Sequence, residues 1–152
     1  MAASLETLAS AIVVTASPET TAALAAQLMR QHHVGALVVV DAAASDSGKP
    51  VGIVTDRDLV LAVMAEGLDP ALFTVGDVMS TELVTASAGA GLLEATELLN
   101  RHRVRRLIVT DDAGRVVGVA SLEDLLEALV REFGDLVQAL RSARDREIKE
   151  RR

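Results

Sequence analysis

The chain has 152 residues, half of them apolar, a formal net charge of −7 and no cysteine. The missing cysteine excludes disulfides, thiol nucleophiles and Cys-ligated metals, and the acidic balance argues against a general nucleic-acid binder, whose affinity comes from Lys and Arg neutralising phosphates. Because Phe73 and Phe133 are the only aromatic side chains, the core has to be aliphatic, and a bound planar ring would lie between Ala, Val, Leu and Ile.

In chain order, the opening stretch MAASLETLAS has no basic n-region and no sustained apolar core, and the longest apolar runs, such as residues 34–40, are too short for a span. The expectation is a soluble cytoplasmic protein. AIVVTA (11–16) is a β-branched run. Ser17-Pro18-Glu19 then reads as an N-cap with proline at the first helical position, ahead of Ala22, Ala25, Ala26, Leu28 and Met29 at helical spacing. VGALVVVD (34–41) and PVGIVT (50–55) are two further strands. The polar stretch AAASDSGK between them marks a surface loop, and DRDLVLAVMAEG (56–67) is a second helix.

The chain then repeats itself. At an offset of 70 residues, Ser10, Val14, Thr15, Ala16, Ser17, Ala25, Leu28, His32, Val34, Leu37, Val39 and Asp41 meet the same residue types at Ser80 through Asp111. Past the loop the offset becomes 66, and Val51, Gly52, Asp58, Leu59, Ala62 and Glu66 meet Val117, Gly118, Asp124, Leu125, Ala128 and Glu132. The second copy runs through ELVTA (82–86), a helix with Leu92, Leu93, Ala95, Leu98 and Leu99, VRRLIVTD (104–111), VVGVAS (116–121) and LEDLLEALVREF (122–133). The predicted order is β-α-β-β-α, twice, an α/β (α+β) architecture. One copy is too small to bury its helices and its sheet alone, so the two should pack with pseudo-two-fold symmetry. We place the first copy at 5–66, the connector GLDPALFT at 67–74, the second copy at 75–132 and a C-terminal helical tail at 133–152, with Leu136, Val137, Leu140, Ala143 and Ile148 near one stripe. That tail is either a surface helix or a dimer or partner contact.

Each third strand runs into a hydroxyl followed three residues later by a carboxylate: Thr55 with Asp58, and Ser121 with Asp124. One reading is a capping box, in which the hydroxyl accepts from the third helical N–H and the acid reaches back. The other is a ligand crevice at the carboxyl end of a strand. A carboxylate there repels phosphate and suits a diol such as ribose, so phosphates would need cations from elsewhere. Arg57 stands beside Asp58, and HRVRRL supplies Arg103, Arg105 and Arg106. Strand alternation lets at most one or two of those three point into a shared cleft.

These motifs, in order and twice, resemble a cystathionine-β-synthase-type (CBS) domain pair, also called a Bateman module, over residues 5–132. The resemblance implies two clefts between the copies that bind adenosine ligands, commonly AMP, ADP or ATP and sometimes S-adenosylmethionine or NAD, and regulate an attached or partner protein. It implies that the Asp accepts from the ribose hydroxyls, that the Thr or Ser lies near ribose and phosphate, and that the opening strand of the opposite copy holds the base. One cleft would use Ser121 and Asp124 with Arg106 toward phosphate and Ala16, Ser17 and Thr21 around adenine. The other would use Thr55 and Asp58 with Ala86, Ser87 and Gly91. Ala36 stands where the second copy has Arg106, so this cleft would depend on Arg57 or on arginines reaching across the pseudo-two-fold. The family's frequent proline is replaced by Val38 and Ile108, a departure in strand geometry that leaves the site residues intact. The small residues of SAGAG (87–91) either leave room for a base or allow close helix packing.

Other chemistry is weakly represented. The adjacent His32 and His33 diverge, and neither they nor His102 have a carboxylate at ligand spacing, so no metal site is expected. There is no Gly-x-Ser-x-Gly or Walker loop. The expected protein is a stand-alone, non-catalytic regulatory module, a homodimer through DLVLAVMAEG and DLLEALV, acting on an unknown effector protein, with no nucleic acid and no membrane as partner. The rival is a ligand-free dimerisation or interaction scaffold whose Thr/Asp pairs merely cap helices.

Overall fold

Residues 4–9, 13–41 and 48–150 are described in the computed structural model; Ser10 to Ile12 and residues 42–47 lie outside the described residues, the latter including most of the predicted AAASDSGK loop. Among the described residues, the β-branched opening runs pair as strands at Thr15–Ala16 (β1) and Thr85–Ser87 (β4). Each lies parallel to the next strand, β1 to Ala36–Val40 (β2) and β4 to Arg106–Thr110 (β5). The parallel step requires a crossover, supplied by the helices Ala22–His32 (α2) and Leu92–His102 (α5). β2 and β5 then pair antiparallel with Pro50–Thr55 (β3) and Val116–Ser121 (β6), with the same register irregularity after Val39 and after Val109. The result is two three-stranded mixed sheets, ordered β1-β2-β3 and β4-β5-β6.

The sequence-predicted start of α2 is corrected. Ser17 and Pro18 lie in a turn, where the Ser17 amide donates to Thr20 Oγ1 at 3.0 Å, and the helix starts at Ala22 with Thr21 as N-cap, its hydroxyl accepting from the Leu24 amide at 3.2 Å. The turn aims the carbonyls of Pro18 and Thr20 at the amides of Gly76 and Val75, at 2.8 and 2.7 Å. Those two residues belong to a one-turn helix that periodicity missed, Val75–Val78 (α4); its counterpart is Leu5–Leu8 (α1).

These short helices are exchanged between the copies. Val75 is fully buried among Ala16, Ala25, Met29, Leu37, Val39 and Val54 of the first copy, and Leu5 among Ala86, Ala95, Leu99, Leu107, Val109 and Leu125 of the second. Reciprocal bridges, Thr21 with Thr74 and Ser4 with Gly91, fix both crossings. Gly52 is where α4 closes on the first sheet: an added Cβ would strike Met79 Sδ and stand 3.2 Å from the Ser80 carbonyl. The middle strands β2 and β5 have three consecutive buried residues each, so both of their faces are covered.

After β3 the chain forms Asp56–Leu59 (α3) and then a π-helical stretch, Val60–Met64, which ends before Gly67 at φ +68°. After β6 it forms one continuous helix, Leu122–Glu150 (α6), so the tail expected to start at 133 is the outer part of the second copy's last helix. Among the described residues no helix is long and apolar enough to cross a membrane.

Candidate functional site

Thr55 keeps extended backbone at the end of β3. Its amide and hydroxyl both donate to Asp58 Oδ2, at 2.8 and 2.7 Å, and the Asp58 amide donates to Thr55 Oγ1 at 3.2 Å. Ser121 and Asp124 repeat this at 2.7, 2.7 and 3.1 Å. Both pairs are therefore capping boxes, and in both the second carboxylate oxygen, Oδ1, has no hydrogen-bond partner among the described residues. A third pair, Thr74 and Asp77, shares the acid-to-N-cap bonds at 2.8 and 3.0 Å. Those bonds hold the Asp77 carboxyl below the ordinary aspartate range.

What separates Asp58 from Asp77 is its surroundings. Thr55, Arg57 and Asp58 line a cleft of about 580 Å³ whose far wall comes from the second copy: Glu82, Leu83 and Val84 entering β4, and Arg103, Arg105 and Arg106 entering β5. All three arginines reach it, more than alternation allowed, because β5 begins only at Arg106 and the chain turns through a left-handed Arg103, φ +55°. Arg105 is held by a salt bridge to Glu123, whose carboxyl is lowered by its own backbone amide first and by Arg105 next. The half-buried Arg106 closes over Gly35, where an added Cβ would lie 3.2 Å from its Nη2 and 3.4 Å from Asp56 Oδ2. The cleft thus collects four arginines against Asp56, Asp58 and Glu82, in a chain of net charge −7. Ile53, Leu83, Val84 and Ile108 form its apolar part.

The predicted site residues are regrouped. Arg106 accompanies Thr55 and Asp58, so the arginines do cross the pseudo-two-fold. Ala86, Ser87 and Gly91 do not line this cleft. Ala86 is core, Ser87 Oγ accepts from the Gly89 amide, and Gly91 bridges Ser4. An added Cβ at Gly91 meets nothing within 4 Å, so close helix packing does not explain that glycine. Ala16 is likewise core, and Ser17 and Thr21 form the turn and cap that receive α4. Ser121 and Asp124 have Glu123 beside them where Asp58 has Arg57. The residues that sequence reasoning missed, Glu82 to Val84, lie one strand entry before the predicted Ala86; the signal was the ELVTA run itself. His33 and Arg103 are both left-handed C-caps, and no metal-binding cluster of His, Cys, Asp and Glu occurs among the described residues.

The family model for the CBS domain matches residues 5–65 and again 75–131. The chain belongs to the CBS-domain family. It is 42% identical over 113 residues to the CBS domain-containing protein YhcV of Bacillus subtilis, covering 74% of this chain and 76% of that one. It is 35% identical over 115 residues to the uncharacterized protein MK0525 of Methanopyrus kandleri, covering 76% of this chain but only 57% of that protein. The crystal structure of an uncharacterized conserved protein from Pyrococcus horikoshii superposes with a TM-score of 0.73 at 30% identity, covering 84% of this chain and 92% of the other. The two-sheet CBS pair with a C-terminal helix is the fold of this protein.

Proposed function

We propose that the cleft between Asp58 and Arg106 binds an adenine nucleotide (AMP, ADP or ATP), with S-adenosylmethionine and NAD as the other adenosine compounds to be tried. The carrying observation is the convergence in one cleft of four arginines, an apolar wall and the Asp58 carboxylate, whose hydrogen bonds among the described residues fall on Oδ2 alone. The base lies among Ile53, Leu83, Val84 and Ile108, as planar ligands favour concave apolar walls. The ribose hydroxyls donate to Asp58 Oδ1, and the phosphates take charge-assisted bonds from Arg57, Arg103 and Arg106. In this reading the ligand is sensed without turnover, the Asp58 carboxylate being engaged by its cap and by the ribose. The protein acts in the cytoplasm as a regulatory homodimer on an effector protein. Exposed Val60, Leu61 and Met64, and Leu126 and Leu129 in the second copy, supply apolar faces for self-association.

A second reading, the ligand-free scaffold, is favoured by Asp77, whose carboxylate takes the same two bonds from its N-cap outside the cleft of Thr55 and Asp58. Thermal shift separates the two. A nucleotide at about 100 times its Kd adds about 2.7 kcal/mol, or roughly 5–10 °C for a chain of this size. Under the sensor reading the shift disappears in Asp58→Ala and Arg106→Ala. A scaffold gives no shift with any of the five compounds, and an enzyme accumulates product on incubation.

A further inference from the structure

After the buried Leu125 and Ala128, α6 leaves the body, and every residue from 129 to 150 is exposed. A projecting helix of about 20 residues gains little from propensity alone and depends on packing of its apolar face. This one has such a face. Leu126, Leu129, Phe133, Leu136, Leu140 and Ala143 alternate at spacings of three and four, the heptad rhythm of a two-helix seam. Leu126, Phe133, Leu136 and Leu140 are between 54% and 71% exposed.

We propose that this seam is covered by α6 of a second copy, running antiparallel. In one register all layers are apolar in both directions: Leu126 opposite Ala143, Leu129 opposite Leu140, and Phe133 opposite Leu136. Val130 then faces Val137 on one flank and Glu123 faces Arg144. The charges agree with this direction. The inner part of the helix is acidic, with Glu123, Asp124, Glu127, Glu132 and Asp135 against Arg131, whereas Arg141, Arg144, Arg146 and Lys149 outweigh the acids of the outer part. Antiparallel pairing lays the acidic part on the basic one. Parallel pairing sets Glu147 against itself in the seam, Glu132 against Val137, and acid against acid at the inner end. The overlap of 126–143 extends about 27 Å. Four of the six seam residues, Phe133, Leu136, Leu140 and Ala143, lie beyond residue 131, where the family match ends.

The absence of cysteine gives a clean test with the full chain. The doubly substituted Leu126→Cys/Ala143→Cys protein should form an inter-chain disulfide at least about tenfold faster than either single variant, because only the double variant brings unlike positions together at high effective concentration. Mixing Leu126→Cys with Ala143→Cys should give the mixed dimer in preference to either homodimer. Adding Leu136→Glu should return the double variant to the single-variant rate, with circular dichroism confirming that the body stays folded. Fast self-linking of Leu126→Cys alone would establish a parallel seam and overturn the proposal. A double variant no faster than the singles would show that the face is not paired.

Discussion

The two copies share a backbone and differ in charge. Their capping boxes agree to within 0.1 Å, and their helix ends turn through the same φ of 55° at His33 and Arg103. Yet the positions equivalent to Arg57, Arg103, Arg105 and Arg106 are Glu123, His33, Gly35 and Ala36. The boxes are therefore frame, held alike whether or not a cationic cleft surrounds them. What distinguishes the two surroundings is charge: the arginines, and with them Asp56 and Glu82, whose equivalents are Leu122 and Ile12.

The largest effect should come from breaking the exchange that holds the copies together. Leu5→Ala empties a fully buried site in the second copy's core and should cost about 2–5 kcal/mol, roughly 5–15 °C in Tm. Val75→Ala, its counterpart in the first core, removes fewer atoms and should cost less. A loss under about 1 kcal/mol for Leu5→Ala, measured by urea unfolding, would show that α1 does not dock. Gly52→Ala tests the same crossing from the other side and should cost about 1–3 kcal/mol by overpacking, since Met79 has to move while the Ser80 carbonyl is backbone.

Next in size is the comparison of the clefts themselves. If the nucleotide reading holds, Arg106→Ala should weaken binding by about 10- to 100-fold, the worth of a hydrogen bond to a charged group. Asp124→Ala should leave the affinity of the first cleft unchanged. The reverse experiment sharpens the contrast: Ala36→Arg with Glu123→Arg should turn a calorimetric stoichiometry of one into two. A wild-type stoichiometry of two equal sites would refute the claim that charge decides.

How far the sequence foretold this structure depends on the length of the signal. The duplication, the β-α-β-β-α order and the aliphatic core were legible because strands and eleven-residue helices carry a period. The exchanged helices were not, since LETL and VGDV are single turns whose stability comes wholly from the core of the other copy. Ser17-Pro18 imitated a helix start because capping chemistry is local, and the carbonyls that receive α4 are not visible in it. The resemblance groups Arg106 with Ser121 and Asp124, whereas Arg106 lines the cleft of Thr55 and Asp58; strand alternation fixes a side chain's face on its own sheet and says nothing of the copy across the cleft.

The smallest predicted effect concerns the box outside that cleft, Thr74 with Asp77. The Asp77 carboxyl is lowered chiefly by the Thr74 amide and then by its hydroxyl. A carboxylate with a folded value below its unfolded one is protonated first in the unfolded chain, so its stabilisation is complete above the unfolded value of about 3.9 and fades as pH falls through the folded one. Asp77→Asn keeps an oxygen to accept those bonds but cannot titrate. Its stability should therefore match wild type less closely near pH 7, where the charge at the helix start is lost, and converge on it as pH falls through the folded value. Asp111, lowered by the Arg115 amide and then its side chain, should behave likewise in Asp111→Asn. Parallel stability curves down to acid pH would show that neither charge contributes, and that the box acts through geometry alone.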